Sequence, residues 1–587
     1  MILRKVPALN RGELVAFGES TTGEVRDGAA ATAYQRPRAW YRLPKALLIV
    51  AVFGALLHIA PVWRAQLATP RGWTFTGNLS GSPDVMQYRI FTRRSQITGP
   101  IVDNTMTTEP NSPYLPVFLY YVIGNIASWL QVPDTFVVDY AGVLLAFVLI
   151  VLLFLIVDHF IVVRYQTWWV FLVLLLGGGF GAHFLLISRI VPLSQNFLIK
   201  RTIVDGLSHA IVFEHYRNHY IFNTLFDAHF LFFLIVALAA IGTFYLALKA
   251  FSFSRWLLTT ALFGAATVLH VYDGVTLLAI GTGVTFVLWR KRYPLRPALL
   301  TLAACALSVG ATILWQMTLV HSSGISITPW RADAVYASEL ILAYPIAWGL
   351  IAWGVGEYWR RASFQEVFLL GWALGCTALT LSGPFYPYPD RGTLTLQIPL
   401  YIIAGKIFFA RQSRVPIAYA AVAIVVLGAT PSYVLYKEWL ISNFSNHPDG
   451  SPPPYVWMRP EHKQLIETLE RTASPNDVLV VDKADVPWKT DDLWLAPSYP
   501  GKLYAGHYFQ TVNYARKREE TNRFFATGSA DEKAEFLRKA GVRFVYVNTA
   551  KQNPVSFERV PGLVPIVVTS VGSLFEYRPR MSRNSGP

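Results

Sequence analysis

Asp84 is where chemistry can start. It stands in the run Ser80-Gly-Ser-Pro-Asp84-Val-Met-Gln-Tyr88-Arg-Ile-Phe-Thr-Arg93-Arg94. Pro83 suits a first helical turn, which puts Asp84 close to a helix N-terminus. Asp84, Tyr88 and Phe91 then share one helix face. A carboxylate so placed can take a proton from a hydroxyl group. The plainer readings are a helix cap or an arginine partner. A second acid, Glu109, follows in Thr107-Thr-Glu109-Pro-Asn-Ser-Pro113. Arg391 comes after Gly383-Pro-Phe-Tyr-Pro-Tyr-Pro-Asp390. Its guanidinium offers permanent charge and bidentate bonds to a phosphate, with a salt bridge to Asp390 as the alternative. Arg217 is a second candidate for the same task.

The histidines are less specific. His215 and His219 are four residues apart with Glu214 beside them, a spacing that permits a metal. The run His-Tyr-Arg-Asn-His lacks the glutamate of a metalloprotease motif. We therefore assign no metal and no cofactor, and keep a divalent ion as the alternative. Contacts to a sugar or phosphate and ordinary structural bonding are the competing readings, and they extend to His229. His270 and Asp273 flank Tyr272 near the end of an apolar run. Ionisable residues near membrane depth are functional candidates by default, while a water-exposed hairpin turn also explains Asp273. Gly177-Gly-Gly-Phe-Gly181 has no Lys-Ser/Thr after it and reads as close packing or a helix end. Cys305 and Cys376 lie in apolar runs, which excludes a disulfide framework and a four-cysteine zinc site.

The elements that hold these residues are set by composition. Of 587 residues, 53% are hydrophobic and 15% charged, against about 25% charged in soluble proteins. Mean hydropathy is +0.37. A soluble enzyme and a disordered scaffold are excluded, and a chain crossing a bilayer many times remains. The net charge of +15 then points to lipid headgroups and phosphorylated lipids, not to nucleic acid. Charge gathers at the two ends. This divides the chain into a polar tail (1–43), an apolar body (44–436) and a final domain of soluble character (437–587). The tail precedes any apolar stretch and is not a signal peptide. Ser-Pro-Pro-Pro-Tyr at 451–455 reads as a stiff spacer.

Apolar runs long enough to span are expected at 44–63, 138–162, 167–187, 226–248, 256–272, 274–289, 298–319, 339–357, 365–383, 395–410 and 415–436. Between 256 and 289 the chain must turn back at Asp273-Gly274 if Arg255 and Arg290–Arg292 face the same side. The segment 114–131 is bordered by prolines. The positive-inside rule is satisfied throughout only if it lies on the outer surface. About eleven spans then place the N-terminus in the cytoplasm and the last domain outside. Outer segments 64–137, 188–225, 320–338 and 384–394 carry many arginines, which suggests an anionic ligand there. The alternative is pairing with lipid phosphates or with Asp103, Glu109, Asp205 and Glu214. The last domain shows helices at 461–472 and 530–540, strands at 478–481 and 542–547, and a further strand at 574–577. It reads as a small α/β domain. Tyr504-Ala-Gly-His507-Tyr-Phe lies in a loop of it, either a packed turn or a segment that meets the membrane cavity.

The order of a span, an outer loop with an early Asp84 and Tyr88, a Leu-Tyr-Tyr surface helix, many spans and an outer domain resembles the GT-C glycosyltransferase superfamily. That resemblance implies a polytopic all-α membrane protein with a small extracytoplasmic α/β domain. It implies transfer of a sugar, with inversion, from a polyprenyl-phosphate donor to a glycan, lipid or protein acceptor at the outer face of a plasma (inner) membrane. Asp84 would be the base, with Tyr88, Arg391, Arg217, His229 and Asp273 as ligands to donor or phosphate. The superfamily often has a second acid close to the first. Here positions 85–87 are Val-Met-Gln, and Glu109 would have to substitute. The chain also resembles a group of uncharacterised prokaryotic membrane proteins through Glu214, Asp227-Ala-His229-Phe, His270-Val-Tyr-Asp273, Arg391 and Tyr504-Ala-Gly-His507-Tyr. That second resemblance implies no activity. A transporter or flippase of lipid-linked saccharide, and a glycan-binding membrane protein without catalysis, are the alternatives.

Overall fold

The apolar runs fold as helices that pack on one another while leaving apolar faces outward. The computed structural model describes residues 44–79, 83–111, 113, 118–179, 220–322, 335–383, 385–386, 388–412, 419, 422, 426, 428, 455–482, 493–507, 510–549 and 552–579. From Ile49 onward the chain forms one unit. Its membrane part contains α1 (Lys45–Leu67), α4 (Asp134–Phe160), α5 (Arg164–Leu176), α6 (Ala228–Lys249), α7 (Phe253–Leu269), α8 (Val271–Arg290), α9 (Arg296–Ser322), α10 (Ala337–Ala343), α11 (Pro345–Arg361), α12 (Phe364–Thr380) and α13 (Thr393–Arg411). Between α1 and α4 lie α2 (Pro83–Thr98) and α3 (Phe118–Leu130). Among the described residues, six helices are long and apolar enough to cross a membrane, or seven if the bent pair α10–α11 is one span. The protein is a multi-pass membrane protein. The expected run 415–436 lies almost wholly outside the described residues, as does the end of 167–187.

Two expectations are corrected. The run 339–357 is not one straight helix: it bends by 100° between α10 and α11. The break falls at Tyr344, before Pro345, whose ring excludes the preceding residue from helical geometry and whose nitrogen donates no bond. The hairpin of 256–289 turns at His270, not at Asp273-Gly274. Asp273 is buried in the first turn of α8, where a carboxylate complements the helix dipole. Gly274 faces Thr267, and a Cβ there would come within 2.2 Å of its hydroxyl. The position serves close packing of α7 on α8.

The tightest seam joins α8 and α12. Gly371 and Gly375 sit one turn apart on α12, the small-residue spacing that lets membrane helices meet backbone to backbone. A Cβ at Gly371 would lie 2.3 Å from the Val284 Cα, and one at Gly375 would lie 2.2 Å from the Ala279 carbonyl. Neither neighbour is a side chain that can swing away.

The C-terminal domain is a mixed five-stranded sheet in the order β4-β3-β5-β7-β6. Its strands are β3 (Val478–Val481), β4 (Lys502–Leu503), β5 (Val542–Asn548), β6 (Leu563–Val568) and β7 (Gly572–Tyr577), with helices α14 (Pro460–Thr472), α15 (Tyr514–Ala526) and α16 (Ala530–Lys539). Pro565 falls at a register break in β6, an edge strand where a missing N–H is tolerated. The first loop and this domain share one core. Met86, Ile90 and Phe91 of α2 and Tyr120, Ile123 and Ala127 of α3 pack with Leu465, Leu479, Tyr499 and Phe544. The opposite side of α3 exposes Phe118, Val122, Ile126 and Trp129. That division fits a helix lying at the membrane surface. A short pairing of β1 (Thr74–Phe75) with β2 (Trp457–Met458) adds a second tie.

Gly371→Val should be destabilising by about 1–3 kcal/mol or more, the cost of overpacking a closed contact. A lowered midpoint of thermal unfolding in detergent checks this. A variant as stable as wild type would mean that the α8–α12 seam is not in backbone contact.

Candidate active site

Helix α2 begins at Pro83 with Asp84 in its first turn, as the spacing predicts. Asp84 is half-exposed, and its Oδ1 accepts a hydrogen bond of 2.9 Å from His507 Nε2. Neither plainer reading, an arginine or a helix cap, names this partner. It is a buried histidine of the C-terminal domain, 423 residues away in sequence. The chain around His507 is fixed against the first outer loop. Leu503 N–H donates to the Thr105 carbonyl at 2.7 Å, and Gly506 N–H to the Met106 carbonyl at 3.0 Å. A Cβ at Gly506 would fall 2.6 Å from the Met106 Cβ, so glycine is required for this approach.

One turn along α2, Tyr88 stacks on Tyr120 of α3, with ring centroids 4.7 Å apart, and on His229 of α6 at 5.0 Å. The Tyr120 hydroxyl and His229 Nδ1 share a bond of 2.6 Å. Burial pushes the phenols of Tyr88 and Tyr120 up, and nearby carboxylates add to it. Both stay protonated at any ordinary pH. His229 is set by the turn that opens α6, where the Asp227 side chain accepts its backbone N–H. From His229 the ring contacts run through Phe233 to His270. His270 Nδ1 donates to buried Asp273 at 3.0 Å. Asp273 thus holds a histidine, and its carboxylate is engaged within the protein.

Arg391 sits in a 3-10 turn, Pro389–Gly392, that leads into α13. Its guanidinium lies over the rings of Phe230 (5.5 Å) and Tyr272 (5.8 Å). The salt bridge to Asp390 exists at 3.8 Å, too long for a hydrogen bond. Nε and Nη1 are buried without a hydrogen-bond partner among the described residues. Buried guanidinium nitrogens are normally satisfied, so such a group calls for an anionic acceptor. Other arginines of this region differ: Arg94 pairs with Asp103 at 2.6 Å and Arg93 with Glu470 at 2.9 Å, whereas Arg89 lies 3.6 Å from Asp134 and its Nε, like that of Arg391, is buried without a hydrogen bond among the described residues. For Arg93 and Arg94 the paired reading holds. Phe230 in turn contacts the His229 ring and Tyr272 the His270 ring. The structure therefore brings Asp84, Tyr88, His229, Asp273 and Arg391 into one connected aromatic and polar cluster. Arg217, Glu214, His215 and His219 lie outside the described residues. Among the described residues no group of three His, Cys, Asp or Glu side chains is placed to hold a metal.

Glu109 is tied elsewhere in the same loop. Lys517 Nζ donates to Glu109 Oε2 at 2.6 Å and to Thr108 at 2.7 Å, and Thr107 donates to the same carboxylate. Burial alone would raise Glu109, but the bonds from Lys517 and Thr107 outweigh it and hold the carboxyl below its ordinary range. Lys517 is almost wholly buried, and burial lowers its ammonium despite the pull of Glu109. The lysine depends on its partner more than the partner depends on it.

Three participants escaped sequence reasoning. Tyr120 was visible only as part of an apolar surface helix. Lys517 sits in a run of charges, Tyr514-Ala-Arg-Lys-Arg-Glu-Glu, that looks wholly solvated. His507 was flagged in its loop, but no spacing rule links it to Asp84.

No family model matches the sequence, and no curated protein matches it. The chain is similar in structure to the oligosaccharyltransferase of Archaeoglobus fulgidus in its apo form, with a TM-score of 0.50 and 11% identity over 91% of this chain and 74% of that one. ArnT from Cupriavidus metallidurans bound to undecaprenyl phosphate gives a TM-score of 0.41 and 11% identity, covering 90% of this chain and 97% of that one. The likeness to the oligosaccharyltransferase is one of fold, and it bears out the expected polytopic helical membrane body with a small C-terminal α/β domain.

Glu109→Gln should leave Lys517 buried without its counter-charge and destabilise the protein by about 3 kcal/mol at neutral pH. Because the folded Glu109 value is depressed, its contribution is fully present above the unfolded value and lost as pH falls through the folded one. Denaturant unfolding of wild type and variant should therefore converge in the acid range. A gap that does not change with pH would rule out the ion pair as its cause.

Proposed function

We propose that the protein transfers a sugar from a polyprenyl-phosphate-linked donor to an acceptor hydroxyl at the outer face of the plasma (inner) membrane. The observation that carries this reading is Arg391: a mostly buried guanidinium with two nitrogens that have no hydrogen-bond partner among the described residues. The GT-C-like fold supports it. In this reading Asp84 orients the acceptor and takes its proton. The acceptor oxygen forms a bond to the anomeric carbon as the bond from that carbon to the phosphate oxygen breaks, with inversion. Polyprenyl phosphate leaves with the bonding electrons. A phosphate leaving group needs no strong acid, but it needs positive charge where negative charge grows. Arg391 supplies that charge, and Arg217 is a second candidate.

Tyr88 and His229, stacked on one another, line the place where the sugar ring rests, while Asp273 acts through His270. Glu109 remains the candidate second acid, although its contacts suit a structural role better. The acceptor is a glycan, a lipid or a protein. We place the tail 1–43 in the cytoplasm, the GT-C-like body at 44–436 and the extracytoplasmic domain at 437–587, the sides given by the arginine distribution.

The test is mass spectrometry of lipids that co-purify with the full chain in mild detergent. Wild type should carry polyprenyl phosphate or its sugar conjugate, and Arg391→Ala should lose it. Asp84→Asn should keep the lipid but lower transfer by at least about a hundredfold, the usual worth of a general base. Equal lipid in wild type and Arg391→Ala would sink the phosphate site. Unimpaired transfer by Asp84→Asn would remove the base.

A further inference from the structure

The outer turn before α13 carries more unsatisfied polar atoms than a phosphate ligand alone would need. Beside Arg391 Nε and Nη1, the Tyr386 hydroxyl and Asp390 Oδ1 are buried and have no hydrogen-bond partner. All three residues are only partly buried as whole side chains, so the set is approachable from the mouth. Phe385, on the same loop, is 92% exposed and offers an apolar surface beside the polar atoms.

The orphans are of two kinds. Arg391 and Tyr386 are donors. Burial raises the Tyr386 phenol above its ordinary range, more than Arg391 pulls it back, so its proton stays. Asp390 Oδ1 is an acceptor, and its other oxygen is 3.8 Å from Arg391 Nε. The dianion of a phosphate monoester, its main form at neutral pH, could satisfy the donors, but it has no hydrogen to give Asp390. A phosphate monoester also carries a charge of about −1.5 to −2 at neutral pH. The Asp390 carboxylate opposes that second charge at short range. A phosphodiester carries one charge, and a sugar on it brings a hydroxyl two carbons from the ester oxygen.

Resting on the glycosyltransferase reading, we infer that Tyr386, Asp390 and Arg391 form a subsite that selects the phosphodiester donor over the spent polyprenyl monophosphate. Arg391 and Tyr386 hold the phosphate oxygens, and Asp390 accepts the hydroxyl vicinal to the anomeric carbon. The same carboxylate that helps to hold the donor disfavours the product once its sugar has gone, so release is built into the site.

Three probes separate these terms without knowledge of the sugar: solanesyl phosphate, its ethyl ester and its 2-hydroxyethyl ester. The last places a hydroxyl at the sugar-like distance. Binding to the detergent-purified full chain is read by native mass spectrometry. Wild type should bind the hydroxyethyl ester about tenfold more tightly than the ethyl ester, the lower end of what a hydrogen bond to a charged group is worth. It should bind the monoester least. Asp390→Ala should reduce the hydroxyl preference to under about twofold and strengthen monoester binding. Asp390→Asn keeps an acceptor oxygen, so it should retain a hydroxyl preference yet lose discrimination against the monoester. Tyr386→Phe, which removes one oxygen, should weaken all three probes alike. Binding that needs Arg391 but shows no hydroxyl preference in wild type, or a preference that survives Asp390→Ala, overturns the inference and leaves the phosphate site standing. Binding of all probes unchanged in Arg391→Ala, or no binding of any probe by wild type, overturns the phosphate site and the inference with it.

Discussion

The loop between α1 and α4 has no core of its own. Helices α2 and α3 are short and amphipathic, and isolated helices of such length are marginal in water. They are held because Met86, Ile90, Phe91, Tyr120 and Ile123 are buried in the same apolar cluster as the C-terminal sheet. The position of Asp84 therefore depends on a domain that begins more than three hundred residues later. Hydrogen bonds between 105–107 and 503–506, the Lys517–Glu109 pair and the contact of His507 with Asp84 all cross the same boundary. The hydrophobic contact sets the distance, and the polar contacts then set register and orientation, since hydrogen bonds fall off steeply with misalignment.

This arrangement explains why a soluble-looking domain follows a membrane body. On the membrane side, Arg391 and His229 are carried by the entry turns of α13 and α6. Helix ends are where a buried chain can present polar groups without breaking its backbone bonds. On the other side, Asp84 is carried by a helix anchored in the domain. The aromatic stack of Tyr88, Tyr120 and His229 joins the two. Rings suit that junction, because they fill an apolar contact while their polar tips pair with one another.

Much of the architecture is legible in sequence because the bilayer enforces it. Runs of about twenty apolar residues admit few structures other than helices, and α1, α4, α6, α9, α12 and α13 fall close to where the runs lie. The C-terminal strands Val478–Val481 and Val542–Asn548 are equally plain, being short, branched and apolar. What fails is local. Pro345 divides a run whose hydropathy is continuous, and the α7–α8 turn falls at His270 because Asp273 finds a partner there. Helix α15 is hidden by its charge: Lys517 is buried against Glu109, a pairing 408 residues apart that no periodicity announces. Asp84 and Arg391 are legible as candidates by residue type and place. Their environments are not, since His507, Tyr386 and Tyr120 reach them only through the fold.

In the proposed glycosyltransferase reading, the two ends of the cluster differ as a base and a phosphate ligand at a membrane surface should. Asp84 keeps 49% of its side chain exposed, while Arg391 keeps 16%. A base that must meet a water-soluble hydroxyl and give up its proton between turnovers gains from solvent. A cation that must stabilise growing negative charge gains from dryness, because its attraction scales inversely with the local dielectric. Exposing Arg391 as fully as Asp84 would surrender most of its field to water.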